Sequence, residues 1–472
     1  MARILCSRIR SILTFSLKKV PPKLGRRLLV TGVSVFAVGG GAYVSYKRNC
    51  YPIHSYCVEN VEETSRQKSI EKAIQFSHDL IRRKKEEGGV PGIVVAVSVD
   101  GETVWAEGIG YADVENRVPC NRGTVMRIGS ISKPIAMTAV AKLWEEGKLD
   151  LDKPIQLFVP TFPEKTFQGK KVTLTLRHLL HHLGGIRHYK QDVNNEKGNA
   201  AEKRNNNVGT SDAELQEFYL NRKFKTTEEA LDLIRDDPLL SEPGSKYLYT
   251  TFGWTLVSAA VEGACKETYP KYLNKVLKTI GMNNTYLDKH DAIIYNRARF
   301  YGRDNKGVLS NVPCVDSSYK WAGGGLLSTV DDLVLYGNSM LCSLQTPDNS
   351  ASPGFLKPST VEAIWTPAPE TSSLWGSLGK YGYGMGWKLS AQETPCRGCR
   401  EAGPFVASHT GSSIGGTSAL TVLPSPCELS IRKCRWNDPP HGVVVAVIGN
   451  MTSVAYGSIA DEIALQFAQF AK

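Results

Sequence analysis

Two serines stand in sequence contexts that suit a nucleophile. Ser413 lies in the run G-S-S-I-G at residues 411–415, which fits the G-x-S-x-G turn of many hydrolases. Ser130 lies in G-S-I-S-K at residues 129–133, three residues before Lys133. On a helix a lysine at i+3 lies within about 6 Å of the serine at Cβ, close enough to act as its base. Both runs therefore predict acyl transfer, and the surrounding elements must decide between them.

The element after Ser413 argues against this serine as the nucleophile. The G-x-S-x-G turn needs a strand before it and a helix after it. Residues 417–423, T-S-A-L-T-V-L, instead predict a second strand. We therefore predict that Ser413 lies in the wall of a pocket, and that another serine attacks.

The context of Ser130 is more favourable. The pattern S-x-x-K occurs seven times in the chain, but only at Ser130 does it follow a glycine and open a long apolar-faced helix, predicted over about residues 131–146. Free N–H groups at the start of a helix favour a developing alkoxide, and burial would lower the pKa of Lys133. The alternative is that Ser130 is only a helix cap and Lys133 a solvated charge.

Two further motifs decide between these alternatives. Tyr249 and Thr251 lie in the run Y-L-Y-T-T-F-G-W at residues 247–254, and H-T-G occupies residues 409–411. The order S-x-x-K, Tyr-x-polar and basic-T-G is the signature of the serine β-lactamases and penicillin-binding proteins. From about Ser69 to the C-terminus the chain resembles the class C β-lactamase and esterase branch of this family. The runs at residues 108–113, 184–189 and 321–329 extend the resemblance.

The resemblance implies a role for each matching residue. Ser130 would attack a carbonyl and become acylated, Lys133 would take or relay its proton, and Tyr249 would act as base and then protonate the leaving group. A protonated His409, together with Lys133, would lower the pKa of Tyr249. The oxyanion would lie between the backbone N–H groups of Ser130 and Ser412.

The resemblance also implies a substrate-binding wall, with two departures from the family pattern. The residues expected to bind substrate are Thr251, His409, Thr410, Gly411 and Ser412. Thr251 stands where the family usually has asparagine, and His409 stands where β-lactamases usually have lysine. A hydroxyl offers fewer donors than an amide, so these changes argue against β-lactam turnover more than against acyl transfer. We expect no metal and no cofactor, and we interpret His178, His181 and His182 as scaffold.

The charge of the chain is concentrated in its first 58 residues, which hold ten of the 57 basic residues and no acidic residue. The remaining 47 basic residues nearly balance the 46 acidic ones, so we expect no nucleic-acid partner. Residues 1–27 have the composition of a mitochondrial presequence. Residues 28–46 carry no charge and are just long enough to cross a bilayer, so membrane association through them is predicted. A secretory signal anchor is the rival interpretation.

The remaining elements predict an α+β chain. Residues 47–68 form a linker, and residues 69–472 a β-lactamase-like domain whose antiparallel sheet is flanked by N- and C-terminal helices. A mainly helical insertion is expected over about residues 131–320, with a polar loop over residues 190–213. Cys396, Cys399, Cys427 and Cys434 do not have standard zinc spacing and are predicted to be free thiols or disulfide partners.

The resemblance and the leader together give a first functional hypothesis. It is a serine hydrolase of the mitochondrial intermembrane space, most simply a peptidase linked to lipid metabolism that acts on a peptide or small acyl substrate. Assembly into homo-oligomers or filaments is also implied by the resemblance. The alternatives are an esterase, or a filament-forming scaffold with little or no turnover.

Overall fold

The computed structural model describes residues 32–38, 41–47, 54–189, 217–304, 306–347, 354–371, 374–376, 379–390, 405–425, 440–452 and 454–471. The predicted presequence, the polar loop and the four cysteines from Cys396 to Cys434 lie outside these residues. Contacts between residues divide the chain into two units, Met1–Gln67 and Lys68–Lys472.

The first unit contains a hairpin at the predicted membrane-spanning segment. Strands β1 (Gly32–Val38) and β2 (Gly41–Lys47) pair antiparallel. Helix α1, His54–Gly88, begins in this unit and ends in the second. Within the described residues, no helix is both long enough and apolar enough to pass through a bilayer. Membrane association through residues 28–46 therefore stays a prediction.

The second unit is built on an antiparallel sheet, interrupted in sequence by a largely helical region. Its first strands are β3 (Gly92–Val99), β4 (Glu102–Asp113), β5 (Val118–Pro119) and β6 (Met126–Arg127). The elements that follow are α2 (Ser132–Glu145), β7 (Lys165–Phe167), β8 (Lys170–Val172), α3 (Leu176–Leu180), α4 (Thr227–Leu231), α5 (Phe252–Cys265), α6 (Tyr269–Ile280), β9 (Tyr286–Leu287), β10 (Tyr301–Arg303) and β11 (Leu309–Asn311).

The rest of the chain returns to the sheet. Its elements are α7 (Trp321–Gly324), β12 (Leu326–Ser328), α8 (Val330–Gln345), α9 (Pro358–Ile364), β13 (Leu374–Gly376), β14 (Gly379–Tyr383), β15 (Lys388–Ser390), β16 (Val406–Ser413), β17 (Gly416–Pro424), β18 (Gly442–Gly449) and α10 (Gly457–Ala468). In the described part of the chain, the main sheet has nine strands in the order β13-β14-β15-β16-β17-β18-β3-β4-β5.

The sheet is buried on both faces, which explains its continuous apolar strands. Every residue of β3 is buried. Val95 and Val97 pack in a cluster with side chains of α1 and α10, whereas Val94 and Ala96 pack in a second cluster with α2 and α8. Terminal helices therefore cover one face and the helical region covers the other, as expected for an α+β chain. Strand β16 ends and strand β17 begins beside the turn that precedes α2, and this junction positions the site.

Candidate active site

Ser130 lies in a single 3₁₀ turn, Gly129–Ile131, between strand β6 and helix α2. Gly129 has φ of +49°, a conformation that side chains disfavour. A Cβ on Gly129 would lie 2.7 Å from the backbone nitrogen of Ser412 and 2.8 Å from its carbonyl oxygen. The glycine therefore lets strand β16 approach the backbone directly beside Ser130, and the two predicted oxyanion donors belong to neighbouring segments.

Lys133 points back toward Ser130 from the first turn of α2. Its Nζ lies 3.0 Å from Ser130 Oγ and donates to the carbonyl oxygen of Gly323 at 2.5 Å. The side chain is fully buried, and burial together with the charge of Lys320 holds the pKa of Lys133 well below its ordinary value. A buried neutral amine has a free lone pair, so it can accept the hydroxyl proton of Ser130 across this 3.0 Å contact.

Tyr249 completes a contact group around Ser130. Lys133 Nζ lies 4.7 Å from the centre of its ring, and the Tyr249 hydroxyl is close enough to Ser130 for that side chain to lower its pKa. Burial raises the pKa of Tyr249 above its ordinary value, and the neighbouring Ser130 offsets only part of that rise. Tyr249 is therefore a neutral phenol in this structure, able to donate a proton. The expectation that neighbouring cations lower its pKa is wrong, because desolvation dominates.

His409 is neutral, and its tautomer is fixed by two hydrogen bonds. Its Nδ1 lies 2.7 Å from the carbonyl oxygen of Thr410, so Nδ1 carries the proton. Its Nε2 lies 2.9 Å from the hydroxyl of Tyr383 and therefore accepts from it. Burial, with a smaller contribution from the neighbouring Lys133, lowers the pKa of His409 to about 3. The prediction that His409 is protonated is therefore wrong, because the imidazole is too desolvated to hold a charge.

The same chain of bonds continues to His182. Its Nδ1 accepts from the backbone N–H of Thr250 at 3.1 Å, which leaves the proton on Nε2. That Nε2 lies 3.3 Å from the hydroxyl of Tyr383. His182 also packs on Tyr249, with ring centres 4.3 Å apart. Neutral side chains therefore form one continuous wall from the backbone of Thr250 to His409.

Thr251 is buried and packs against the turn that holds Lys133. Its backbone N–H donates to His188 Nδ1 at 3.2 Å. Burial lowers the pKa of His188 to about 3, so this histidine is also neutral. A Cβ on Gly323 would lie 2.7 Å from the Thr251 methyl group. Thr251 thus lies buried beside the carbonyl that holds Lys133.

The H-T-G run lies on strand β16, and its side chains alternate between the faces of the sheet. His409 faces Tyr249, with ring centres 6.5 Å apart. Thr410 faces the other way: its methyl group would lie 2.9 Å from a Cβ on Gly457, in the terminal helix. A Cβ on Gly411 would lie 1.9 Å from the carbonyl oxygen of Ile128, so only glycine fits there. The structure therefore brings His409, Gly411 and the backbone of Ser412 to Ser130, but not the Thr410 methyl group.

Ser413 lies at the hairpin between β16 and β17. It pairs with Gly416, and its Oγ donates to the Gly416 carbonyl oxygen at 3.3 Å. The strand-turn-strand context predicted for this serine is confirmed. The G-x-S-x-G run is therefore a β-hairpin with no helix after it.

Two groups that lie at the site were assigned no role from the sequence. Gly323 supplies the carbonyl that binds Lys133, and Lys320, at the N-terminal end of α7, is only 5 % exposed. Burial lowers the pKa of Lys320 to about 7, and the charge of Arg127 contributes. The only signal was position, because Lys320 directly precedes the run W-A-G-G-G-L-L-S-T that carries part of the resemblance.

A serine beside a buried lysine and a tyrosine, with two backbone N–H groups nearby, is the arrangement found in the class of serine hydrolases that work through an acyl-enzyme. The family described as "Beta-lactamase" matches residues 78–465. The chain belongs to the β-lactamase family and is a β-lactamase-like serine hydrolase.

Individual relatives agree with this assignment. The human protein named "Serine beta-lactamase-like protein LACTB, mitochondrial" is 45% identical over 441 residues, covering 84% of this chain and 80% of that protein. The octameric penicillin-binding protein homologue from Pyrococcus abyssi has a TM-score of 0.61 and 27% identity, over 84% of this chain and 76% of its own. A class C β-lactamase has a TM-score of 0.59 and 16% identity, over 84% of this chain and 96% of its own. The predicted fold is confirmed.

Proposed function

We propose that this chain hydrolyses acyl substrates through a covalent intermediate on Ser130, with Lys133 as the base and Tyr249 as the proton donor. The observation that carries the proposal is the 3.0 Å contact between Ser130 Oγ and the fully buried Nζ of Lys133. A lysine in this position can act as the base only when it is neutral, because a lysine that keeps its proton cannot accept the proton of the serine.

Acylation follows from these positions. Ser130 Oγ forms a bond to the carbonyl carbon, and its proton moves to Lys133 Nζ. The carbonyl oxygen becomes an oxyanion between the N–H groups of Ser130 and Ser412. The bond to the leaving group then breaks as Tyr249 gives that group its phenol proton, and Lys133 returns a proton to the phenolate. Attack by water on the ester, with the same groups moving the proton, releases the acid and restores Ser130.

The wall of the site favours an uncharged acyl group over a β-lactam. His409 occupies the position where β-lactamases carry lysine, and burial keeps this imidazole neutral. It therefore supplies no positive charge for the carboxylate that a penicillin presents. The Thr251 side chain is buried and contributes one hydroxyl where an asparagine would offer an amide. A peptide or ester carbonyl needs neither group to react.

Covalent labelling of the full chain tests the proposal. Wild type, Ser130→Ala and Ser413→Ala would be treated with a fluorophosphonate and with a penicillin probe, followed by intact-mass measurement and peptide mapping. We expect a fluorophosphonate adduct on Ser130 in wild type and in Ser413→Ala, and none in Ser130→Ala. An adduct on Ser413 would contradict the assignment. No adduct on any residue in any of the three proteins would favour the filament-forming scaffold.

The substrate class is tested by matched amide and ester pairs. We propose a peptidase, so a fluorogenic peptide amide should be cleaved by wild type and not by Ser130→Ala. Cleavage of the ester with the same acyl group, without cleavage of the amide, would favour the esterase instead. The name of the human relative and the basic leader support a mitochondrial location, and we propose the intermembrane space and a role in lipid metabolism.

Location and assembly have their own tests. We propose that residues 1–27 direct import and that residues 28–46 hold the protein at a membrane. Protease protection of imported protein in intact and swollen mitochondria, followed by carbonate extraction, measures both. The octameric state named for the relative from Pyrococcus abyssi supports a homo-oligomer. Light scattering and electron microscopy of the purified protein should show assemblies, and monomers alone would contradict this.

A further inference from the structure

Two lysines at the site are buried. Lys133 is fully buried, and Lys320 is 5 % exposed. Lys320 directly precedes helix α7, and its carbonyl oxygen accepts the backbone N–H groups of Gly323 at 3.0 Å and Gly324 at 2.8 Å. The same Gly323 provides the carbonyl oxygen that binds Lys133 Nζ. One short turn of chain therefore links both amines.

The two amines differ in their surroundings. Lys320 Nζ lies over three aromatic rings, 4.9 Å from the centre of Tyr319, 5.2 Å from Phe218 and 5.9 Å from Tyr189. Lys133 Nζ lies over one ring, that of Tyr249. The ion pairs found between described residues include neither Lys133 nor Lys320, and the buried carboxylate of Asp288 is paired with Arg127. Aromatic faces stabilise a buried cation, so Lys320 holds a proton better than Lys133 does.

Two ammonium groups in a buried site repel each other, so the charge of one removes the proton of the other. We infer that Lys320 is a positioning residue for proton transfer: it keeps the positive charge of the pair among its three rings, and Lys133 stays neutral to accept the Ser130 proton. This inference rests on the proposed function. It assigns to Lys320 no contact with the substrate.

The other groups around the pair support this division of charge. Those around Lys133 are Ser130, Tyr249, His182, His188, His409 and Lys320. Burial lowers the pKa of all three histidines, so Lys320 is the cation of this group that acts on Lys133. Those around Lys320 are Arg127, Asp288, Asp316, His188, Tyr189 and Tyr319. The two carboxylates favour its charged form, and Arg127 opposes it.

The pH dependence of covalent labelling at Ser130 tests the inference. The rate of fluorophosphonate labelling of Ser130 would be measured from pH 5 to pH 9 on the full chain as wild type, Lys320→Met and Lys320→Arg. Without the charge the pKa of Lys133 rises, so in Lys320→Met the acid limb should move up by about one pH unit. That shift is about a tenfold loss of rate at low pH. Near pH 9 the rates should converge, and Lys320→Arg should keep the wild-type acid limb.

The outcomes separate this inference from the proposed function. If Lys320→Met keeps the wild-type acid limb, or loses rate equally at every pH, Lys320 acts only through packing and the inference is overturned. If wild-type Ser130 is not labelled, the proposed function fails and the inference fails with it. Thermal melts establish that the variants fold, and Lys320→Gln replaces Lys320→Met in the same test should the methionine variant not fold.

Discussion

The hydroxyl of Tyr383 lies 2.9 Å from Nε2 of His409, and this bond fixes the protonation of both side chains. The histidine donates through Nδ1 to the Thr410 carbonyl oxygen, so it must accept from Tyr383. Tyr383 in turn can accept from His182 Nε2 at 3.3 Å. All three side chains are buried. The wall opposite Ser130 is therefore held by hydrogen bonds between neutral groups. The loss of any one of these bonds would destabilise it.

Tyr383→Phe should destabilise the fold. The substitution leaves Nε2 of His409 and the N–H of His182 buried without their shared partner, at a cost of about 1–3 kcal/mol in the free energy of unfolding. Urea denaturation of wild type and variant measures the difference. The matched control is Tyr295→Phe, because Tyr295 is 84% exposed and its hydroxyl is hydrated in both states. Equal free energies for the two variants would mean that the Tyr383 hydroxyl contributes nothing.

Stability should fall as the pH drops below 6.5. Burial lowers the pKa of His409 and of His188 to about 3 in the folded chain, from an ordinary 6.5. Above pH 6.5 both states are neutral, but between 6.5 and 3 the unfolded chain binds protons that the folded chain does not. Each such histidine removes about 1.4 kcal/mol of stability per pH unit in this window.

Urea midpoints at pH 7.5, 6.5, 6.0 and 5.5 measure this loss where most carboxylates stay ionised. His409→Gln keeps an acceptor for Tyr383 but cannot titrate, so its midpoint should decline less steeply than that of wild type. Parallel declines in the two proteins would show that His409 binds a proton in the folded state after all.

Local patterns predicted the elements and the reacting trio. The helix predicted over about residues 131–146 is α2 (Ser132–Glu145), and the strand predicted over residues 417–423 is β17 (Gly416–Pro424). The S-x-x-K spacing indicated that Lys133 would reach Ser130, because one turn of chain fixes that distance. These features are local, so a single stretch of sequence contains them.

The features that could not be predicted depend on contacts between distant segments. The charge of His409 depends on burial by Tyr383 and its neighbours, and composition carries no measure of desolvation. The ring contacts of Lys320 come from Tyr189, Phe218 and Tyr319, and the first two lie more than a hundred residues away in sequence. The side on which the Thr410 side chain lies depends on which face of β16 packs against the terminal helix, and the run H-T-G does not specify that face.

Gly129→Ala should impair both folding and acylation. The alanine must adopt φ of +49° and would place its Cβ 2.7 Å from the Ser412 nitrogen. Gly147→Ala is a matched control, since Gly147 has φ of +67° but no atom within 4 Å of its Cβ position. The control should lose about 1 kcal/mol from backbone strain alone.

The difference between these two alanine variants isolates the close approach of β16. We expect Gly129→Ala to lose more stability than the control and to label Ser130 at least tenfold more slowly, since a displacement of about 1 Å at a reacting group costs up to a hundredfold. Thermal melts and fluorophosphonate labelling give the two quantities. Identical behaviour of the variants would show that Ser412 does not need to lie against the nucleophile turn.

The buried ion pair of Arg127 and Asp288 should be a larger source of stability loss than any surface pair. The two side chains meet at 2.7 Å with 7% and 3% exposure, and Arg127 also donates to the Ile414 carbonyl oxygen at 2.6 Å. Arg127 therefore ties strand β6, which leads to Ser130, to the hairpin after β16. Asp288→Asn leaves the guanidinium buried and only partly paired, which costs about 3–5 kcal/mol.

Asp152→Asn is the surface counterpart of this substitution. Asp152 meets Arg177 at 2.6 Å, but the two side chains are 64% and 38% exposed, so the loss should stay below about 1 kcal/mol. Urea denaturation compares the two variants, and Ser130 labelling should slow only in Asp288→Asn because only that pair supports the nucleophile turn. A loss below 1 kcal/mol in Asp288→Asn would mean that water reaches Arg127 and that the turn is held by the backbone contacts of Gly129 instead.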